Sequence, residues 1–239
     1  STPSHSPTET MTWTATPTPS RTPTATPTAT PTIPPVLRHI YRSVGPGNTL
    51  PLAASGGTNL LTVAGTTAVF GAPLPTNVGV GVALQYDADG DGTADALAFI
   101  HVRMDNQNFT ITTADGGAPA PTLAADLDWE VYRAYTSVDL AEQGSENPGV
   151  LAALRNFDPW VGGKDLVLAN QIWHVACYAD AVDTASVEIQ GWTTSATNYL
   201  HIFAPHLPGE VGVSQRHTGV WTPGAYRLEV ANTSAFRNG

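Results

Sequence analysis

The chain has 239 residues, of which 41% are hydrophobic and only 13% charged, and its formal net charge is −10. An acidic balance with few lysines and arginines excludes a phosphate-gripping surface, and with it nucleic acid as a partner. A single cysteine, Cys177, excludes a disulfide framework within the chain, and no apolar run is long enough to cross a membrane. With 22 Gly and 20 Pro beside so few charges, the composition suits a turn-rich, mainly β extracellular protein. A start at Ser1 with no apolar leader fits a secreted or cell-surface chain after signal removal.

Residues 1–35 form a Thr/Pro-rich arm closed by Ile33, Pro34 and Pro35. From Thr2 to Thr32 every even-numbered residue is Thr or Ser, while the odd positions carry the prolines, Met11, Trp13 and the alanines. Strand side chains alternate faces with period two, whereas polyproline II repeats every three residues. The parity therefore predicts an extended strand with a hydroxyl face and an apolar face. Backbone N–H groups also alternate between the two edges of a strand. All prolines from Pro3 to Pro31 are odd-numbered, so one edge loses donors and the other keeps them. Such an arm suits addition to the exposed sheet edge of a neighbouring copy, with Met11, Trp13 and Ile33 as its apolar contacts. Head-to-tail addition of this kind gives an open filament unless it closes into a ring. On the hydroxyl face, Thr16, Thr18, Thr22, Thr24, Thr26, Thr28, Thr30 and Thr32 are candidates for O-linked glycans. The plain alternative is a flexible or glycan-coated spacer.

A globular domain is expected over residues 36–239. "RHIYRSV" from Arg38 reads as its first strand, and "NLLTVAGTTAVFG" as two strands around Ala64-Gly65. "VGVGVALQY" and "ALAFIHVRM" flank the acidic "DADGDGTAD" as a hairpin, and "QNFTITTADGG" and "DWEVYRAYTS" add further strands. Ser137 can cap a short helix through Gln143 that Gly144 stops, and "PGVLAALRNF" can give a second helical turn. "DLVLAN", "IWHVACYA", "ASVEIQGW", "NYLHIFAP", "EVGVSQRH" and "YRLEVAN" read as strands separated by turns. The fold expected is mainly β, a sandwich or jelly-roll-like or β-solenoid-like domain with one or two short helices.

The acidic loop is the most specific motif. Asp87, Asp89, Asp91, Gly92, Thr93 and Asp95 match the first nine positions of an EF-hand-type calcium loop, in which alternate carboxylates converge and a glycine permits the turn. Thr93 would offer its backbone carbonyl. The twelfth position is Ala98 rather than Glu, so a structural Ca2+ of weak, extracellular-type affinity is expected. A metal-free Asp/Gly turn is the competing reading. Asn108 and Asn232 sit in Asn-X-Ser/Thr sequons.

No HExxH, GxSxG, CxxC or phosphate-binding loop occurs. His174 and His201 lie in strand-like runs, where hydrogen-bonded structural histidines are the simpler reading, and Arg216 and His217 read as a polar loop. Trp160, Trp192 and Trp221 fit either the core or a sugar-stacking platform. No catalytic residue is expected.

The segments "RHIYRSVG", "VYRAYTS", "LRNFD", "VACYAD", "VEIQGWTTSATNYLHIFAP", "VGVSQRHTG" and "YRLEVAN" cover most of residues 38–232. Together they resemble the lead-in region of large secreted bacterial proteins with right-handed parallel β-helices. The resemblance implies that coil rungs follow this region. The function expected first is a secreted structural subunit that polymerises with itself through its N-terminal arm. The alternatives are a carbohydrate-binding or adhesive module on a passive stalk, and the lead-in of a polysaccharide-degrading β-helix enzyme.

Overall fold

The structure, a computed structural model, describes Met11, residues 36–231 and, as backbone, residues 236–238. Trp13, Ile33, the glycan candidates Thr16 to Thr32 and Asn232 lie outside the described residues, and Met11 is exposed. Contacts divide the chain into Ser1–Pro34 and Pro35–Gly239. The second unit is mainly β and contains every element named below.

β1 (Arg38–Val44) opens the domain. β2 (Ala53–Ala54), β3 (Leu61–Ala64), β4 (Thr67–Phe70), β5 (Ala83–Tyr86), β6 (Ala96–Arg103), β7 (Asn108–Thr112) and β8 (Glu130–Tyr132) follow. These seven pair antiparallel in the order β2-β8-β5-β6-β7-β4-β3, curled into a half-barrel. The β3–β4 hairpin turns at Gly65, whose φ of 58° is the left-handed region that a Cβ disfavours. The concave face closes on Leu84, Tyr86, Ile100, Phe109, Trp129 and their neighbours. β5, β6 and β8 are covered on both faces, because Ala83, Phe99 and Tyr132 belong to a second core shared with the rest of the domain.

α1 (Val138–Glu142) comes next, with the Ser137 side chain accepting from Leu140 N and Gln143 ending the turn, as expected. A 3-10 turn covers Ala152–Leu154. α2 (Leu166–Ala169) corrects the reading of "DLVLAN" as a strand. Asp165 accepts from Leu168 N, and Asn170 takes a left-handed φ of 50° that closes the helix.

The last six strands run in two series. β9 (Gln171–Cys177), β10 (Val182–Asp183) and β11 (Val187–Ile189) are followed by β12 (Leu200–Phe203), β13 (Arg227–Leu228) and β14 (Phe236–Asn238). They pair in parallel and in order: β9 with β12, β10 with β13, β11 with β14. That is the pairing of two successive turns of a coil with three strands per turn. β1 joins parallel on the far side of β9, giving the sheet β1-β9-β12. "EVGVSQRH", expected as a strand, forms none. Its carboxylate at Glu210 turns back to accept His206 N and Leu207 N, and Val211 makes an isolated bridge to Gly79.

Two buried ion pairs lock these parts together. Arg42 of β1, 1% exposed, gives Asp158 two bonds of 2.6 and 2.8 Å. It also reaches the carbonyls of Tyr41 and Ala114, and its guanidinium lies 3.8 Å from the centre of the Phe99 ring. Tyr135 Oη donates to the same Asp158 at 2.6 Å. Arg133 pairs likewise with Asp180 at 2.8 and 2.7 Å and covers the Tyr178 ring at 3.5 Å. Gly45 admits this second pair, since a Cβ there would lie 2.3 Å from Asp180 Oδ2.

Removing one partner of such a pair leaves a buried charge uncompensated. Arg42→Ala is expected to lower stability by about 3–5 kcal/mol in urea denaturation. Arg42→Lys is expected to recover only part of this, because an ammonium cannot reproduce the two-pronged contact. A loss near zero for Arg42→Ala would contradict this account.

Candidate functional site

The loop between β5 and β6 winds around Asp87. Asp87 Oδ1 accepts from Gly90 N at 2.7 Å and Oδ2 from Gly92 N at 2.6 Å, and both glycines have left-handed φ, 81° and 87°. Asp89 Oδ1 accepts from Asp91 N, Asp91 Oδ1 from Thr93 N, and Asp95 Oδ1 from Ala88 N. The amide of Gly92 above all, with those of Gly90, Asp91 and Asp89, holds Asp87 below the usual carboxylate range. Asp89 feels the same pull from the Asp91 amide. The charge of Asp91, desolvation and the charges of Asp95 and Asp87 together outweigh it and lift Asp89 above that range.

Asp87, Asp89 and Asp91 each bring an oxygen within 4.8 Å of the others, a donor set compatible with a hard divalent cation. Asp95 is not in that group, and its Oδ1 accepts from Ala88 N at the start of the loop. A second group, Asp87 with Asp126 and Asp128, meets the same distance limit. Asp126 accepts from Asp87 N and Asp128 N, and burial together with the two neighbouring charges raises its pKa despite those bonds. The sequence signal for this pair was the alternation in "AADLDWE", which lacks the accompanying glycine.

Asn108 begins β7 with its Nδ2 donating to both oxygens of Asp105, at 3.0 and 2.8 Å. Trp160 and Trp192 pack on Trp173, with ring centres 5.2 and 5.0 Å away, whereas Trp221 is 66% exposed. Arg216 is exposed beside His206, and His217 Nδ1 accepts from Thr222 N.

A histidine ladder crosses the outer face of the parallel sheet, and sequence reading missed it. The register sets Tyr41, His174 and His201 side by side on β1, β9 and β12. His39 Nδ1 lies 3.0 Å from His174 Nε2, and His174 Nδ1 lies 3.1 Å from His201 Nδ1. Tyr41 stacks on His174 with ring centres 4.3 Å apart, and His101 of β6 meets Tyr41 edge-on. Burial, together with the neighbouring His201, His39 and His101, pushes His174 down to about 3, so it is neutral and bonds one imidazole as donor and the other as acceptor.

The two edges of the parallel sheet differ. Trp173 N donates to Tyr199 O, which fixes the β9–β12 register and leaves the backbone groups of Leu200 and Ile202 on the outer edge. Neither residue has a further backbone partner among the described residues. On β1, Ser43 N donates to Gly81 O, Ser43 O accepts from Tyr135 N, and Tyr41 O accepts from Arg42. In the antiparallel sheet the edge of β3 is also engaged, by Asp126 at Leu61 and by Thr122 at Val63. The chain matches no protein-family model, no curated protein and no solved structure.

His174 carries the pH prediction. Its folded pKa lies below its ordinary 6.5, so its contribution to stability is full above that value and declines as pH falls towards about 3. The facing groups are His39 and Tyr41 on β1, His101 on β6 and His201 on β12, none of them a carboxylate. Between pH 7 and pH 5 this site is expected to cost the fold about 1–2 kcal/mol after discounting for solvent screening. Thermal melts of wild type and His174→Gln over that range are expected to converge at low pH. Parallel curves would refute this role.

Proposed function

We propose that this chain is a secreted structural subunit that polymerises by strand addition, its extended N-terminal arm pairing with a neighbouring copy. The outer edge of β12, which has no backbone partner among the described residues, is the observation that supports this reading, because a half-buried strand with an open edge invites another strand. The parity of residues 2–32 supplies a segment able to pair along one edge. In this reading Ca2+ at Asp87, Asp89 and Asp91, with Thr93 and Asp95 completing the loop, stiffens the β5–β6 tip. Threonine-linked glycans then coat the hydroxyl face of the arm.

A second reading is favoured by the ordered pairs β9/β12, β10/β13 and β11/β14. Here the domain begins a longer parallel β-helix, and the next coil covers β12. Terminal caps of this kind protect repeat stacks from end-to-end association.

Electron microscopy of the purified chain with and without residues 1–33 separates the two readings. Filaments from the full chain and monomers from the truncated one are expected. Filaments that persist after truncation would remove the arm from the mechanism, and a monomeric full chain would favour the second reading. For the loop, 10 mM Ca2+ is expected to stabilise the protein by about 1.4 kcal/mol if the dissociation constant is about 1 mM. The gain is expected to vanish in Asp89→Ala and to be much smaller with Mg2+. Equal gains in both proteins would exclude the site.

A further inference from the structure

We infer that the acceptor for the arm is the outer edge of β12 in a second copy, paired in parallel with Met11 beside Leu200 and Trp13 beside Ile202. The inference rests on the strand-addition reading above and goes further by naming both strands and their register.

Ile40, Trp173 and Leu200 are register partners on β1, β9 and β12, as are Arg42, Val175 and Ile202. Trp173 and Val175 are buried, whereas Leu200 and Ile202, at the end of each row, are only half-buried. Both rows point into the core, are apolar at β9 and β12, and are open on the β12 side. Met11 and Trp13, two of the three large apolar residues of the arm with Ile33, are two positions apart, as are Leu200 and Ile202. Met11 is 85% exposed, so its side chain is available to a partner.

Hydrogen-bond parity selects the same register. In a parallel pair each outward residue accepts from the residue after its register partner and donates to the residue before it. The bond from Trp173 N to Tyr199 O follows that rule, with Leu200 as the register partner. Applied to the arm, it makes Thr12 and Thr14 the donors to the carbonyls of Leu200 and Ile202. Thr10 and Thr12 then accept from their amides. All these positions are even-numbered, where the arm holds Thr or Ser and never Pro. The odd-numbered edge, which carries the prolines, faces away. A strand added in this way completes the ladder.

The edges of β1 and β3 are occupied. β3 is covered by Asp126 and Thr122, and β1 is engaged at Tyr41 and Ser43. Over β12 no such cover exists among the described residues.

The test changes the parity of proline in the arm and leaves residues 36–239 intact. Thr12→Pro/Thr14→Pro removes the two donors, and Ala15→Pro places a proline on the edge that already carries them. The double variant is expected to raise the critical concentration for assembly at least tenfold, while Ala15→Pro assembles as the parent does. A full chain carrying Thr12→Cys and His201→Cys is expected to form disulfide-linked multimers in the assembled state, because neighbouring strands lie about 4.8 Å apart. Cys177 is buried and does not compete. If truncation of residues 1–33 abolishes assembly but the double-proline variant assembles normally, the arm works through another acceptor and this inference fails alone. A cross-link confined to single chains would likewise overturn it, showing an arm folded onto its own β12. Assembly that survives truncation defeats the strand-addition reading itself.

Discussion

Arg42 is charged, long and almost wholly removed from water, and the rest of the domain is arranged around that fact. A buried guanidinium is tolerable only when its donors are all used and its charge is matched. Asp158 supplies the charge, Tyr41 and Ala114 supply carbonyls, and the Phe99 ring supplies a polarisable face. These partners come from β1, from the loop after β7, from β6 and from an irregular segment, so one side chain fixes four parts of the chain. The irregular segment is itself held. Asp158 N and Asn156 N both donate to Glu146, and the left-handed φ of 79° at Asn156 is one that Asn tolerates better than most residues. The half-barrel and the parallel stack therefore meet at a polar junction whose charges are paired, and such a junction specifies an arrangement more than it adds net stability.

The parallel sheet divides its two faces by chemistry. Inward, Ile40, Trp173 and Leu200 stack as hydrophobic rungs. Outward, Tyr41, His174 and His201 stack as aromatic rungs joined by ring nitrogens. Neutral imidazole can do both jobs, since it packs flat and also donates and accepts along the row.

Local features were legible in the sequence where a single principle acted alone. The alternation of "RHIYRSV" gave β1 its bounds, and Ser137 with Gly144 framed α1, because a cap and a stop are read without knowing any partner. The hairpin around Asp87 was legible for the same reason. "DLVLAN" misled because a short apolar run fits helix and strand equally, and the Asp165 cap decides only once the chain turns. The ladder of histidines was invisible in principle. His39, His174 and His201 are far apart in sequence, and their proximity is a property of register, which periodicity does not encode. The same holds for Asp126, which reaches Asp87 through the fold.

The pairing of β1 with β9 has a kinetic side. Arg38 meets Gln171 across the whole antiparallel half, whereas β3 with β4, β5 with β6 and β6 with β7 are neighbours in the chain. Loop closure delays contacts between distant segments, so these hairpins are expected to form before β1 meets β9. During synthesis β1 emerges early and waits unpaired until β9 is made. In that interval its free backbone faces the same hazard as any exposed edge, and Arg38 and Arg42 place charge on it, a feature that discourages edge-to-edge pairing.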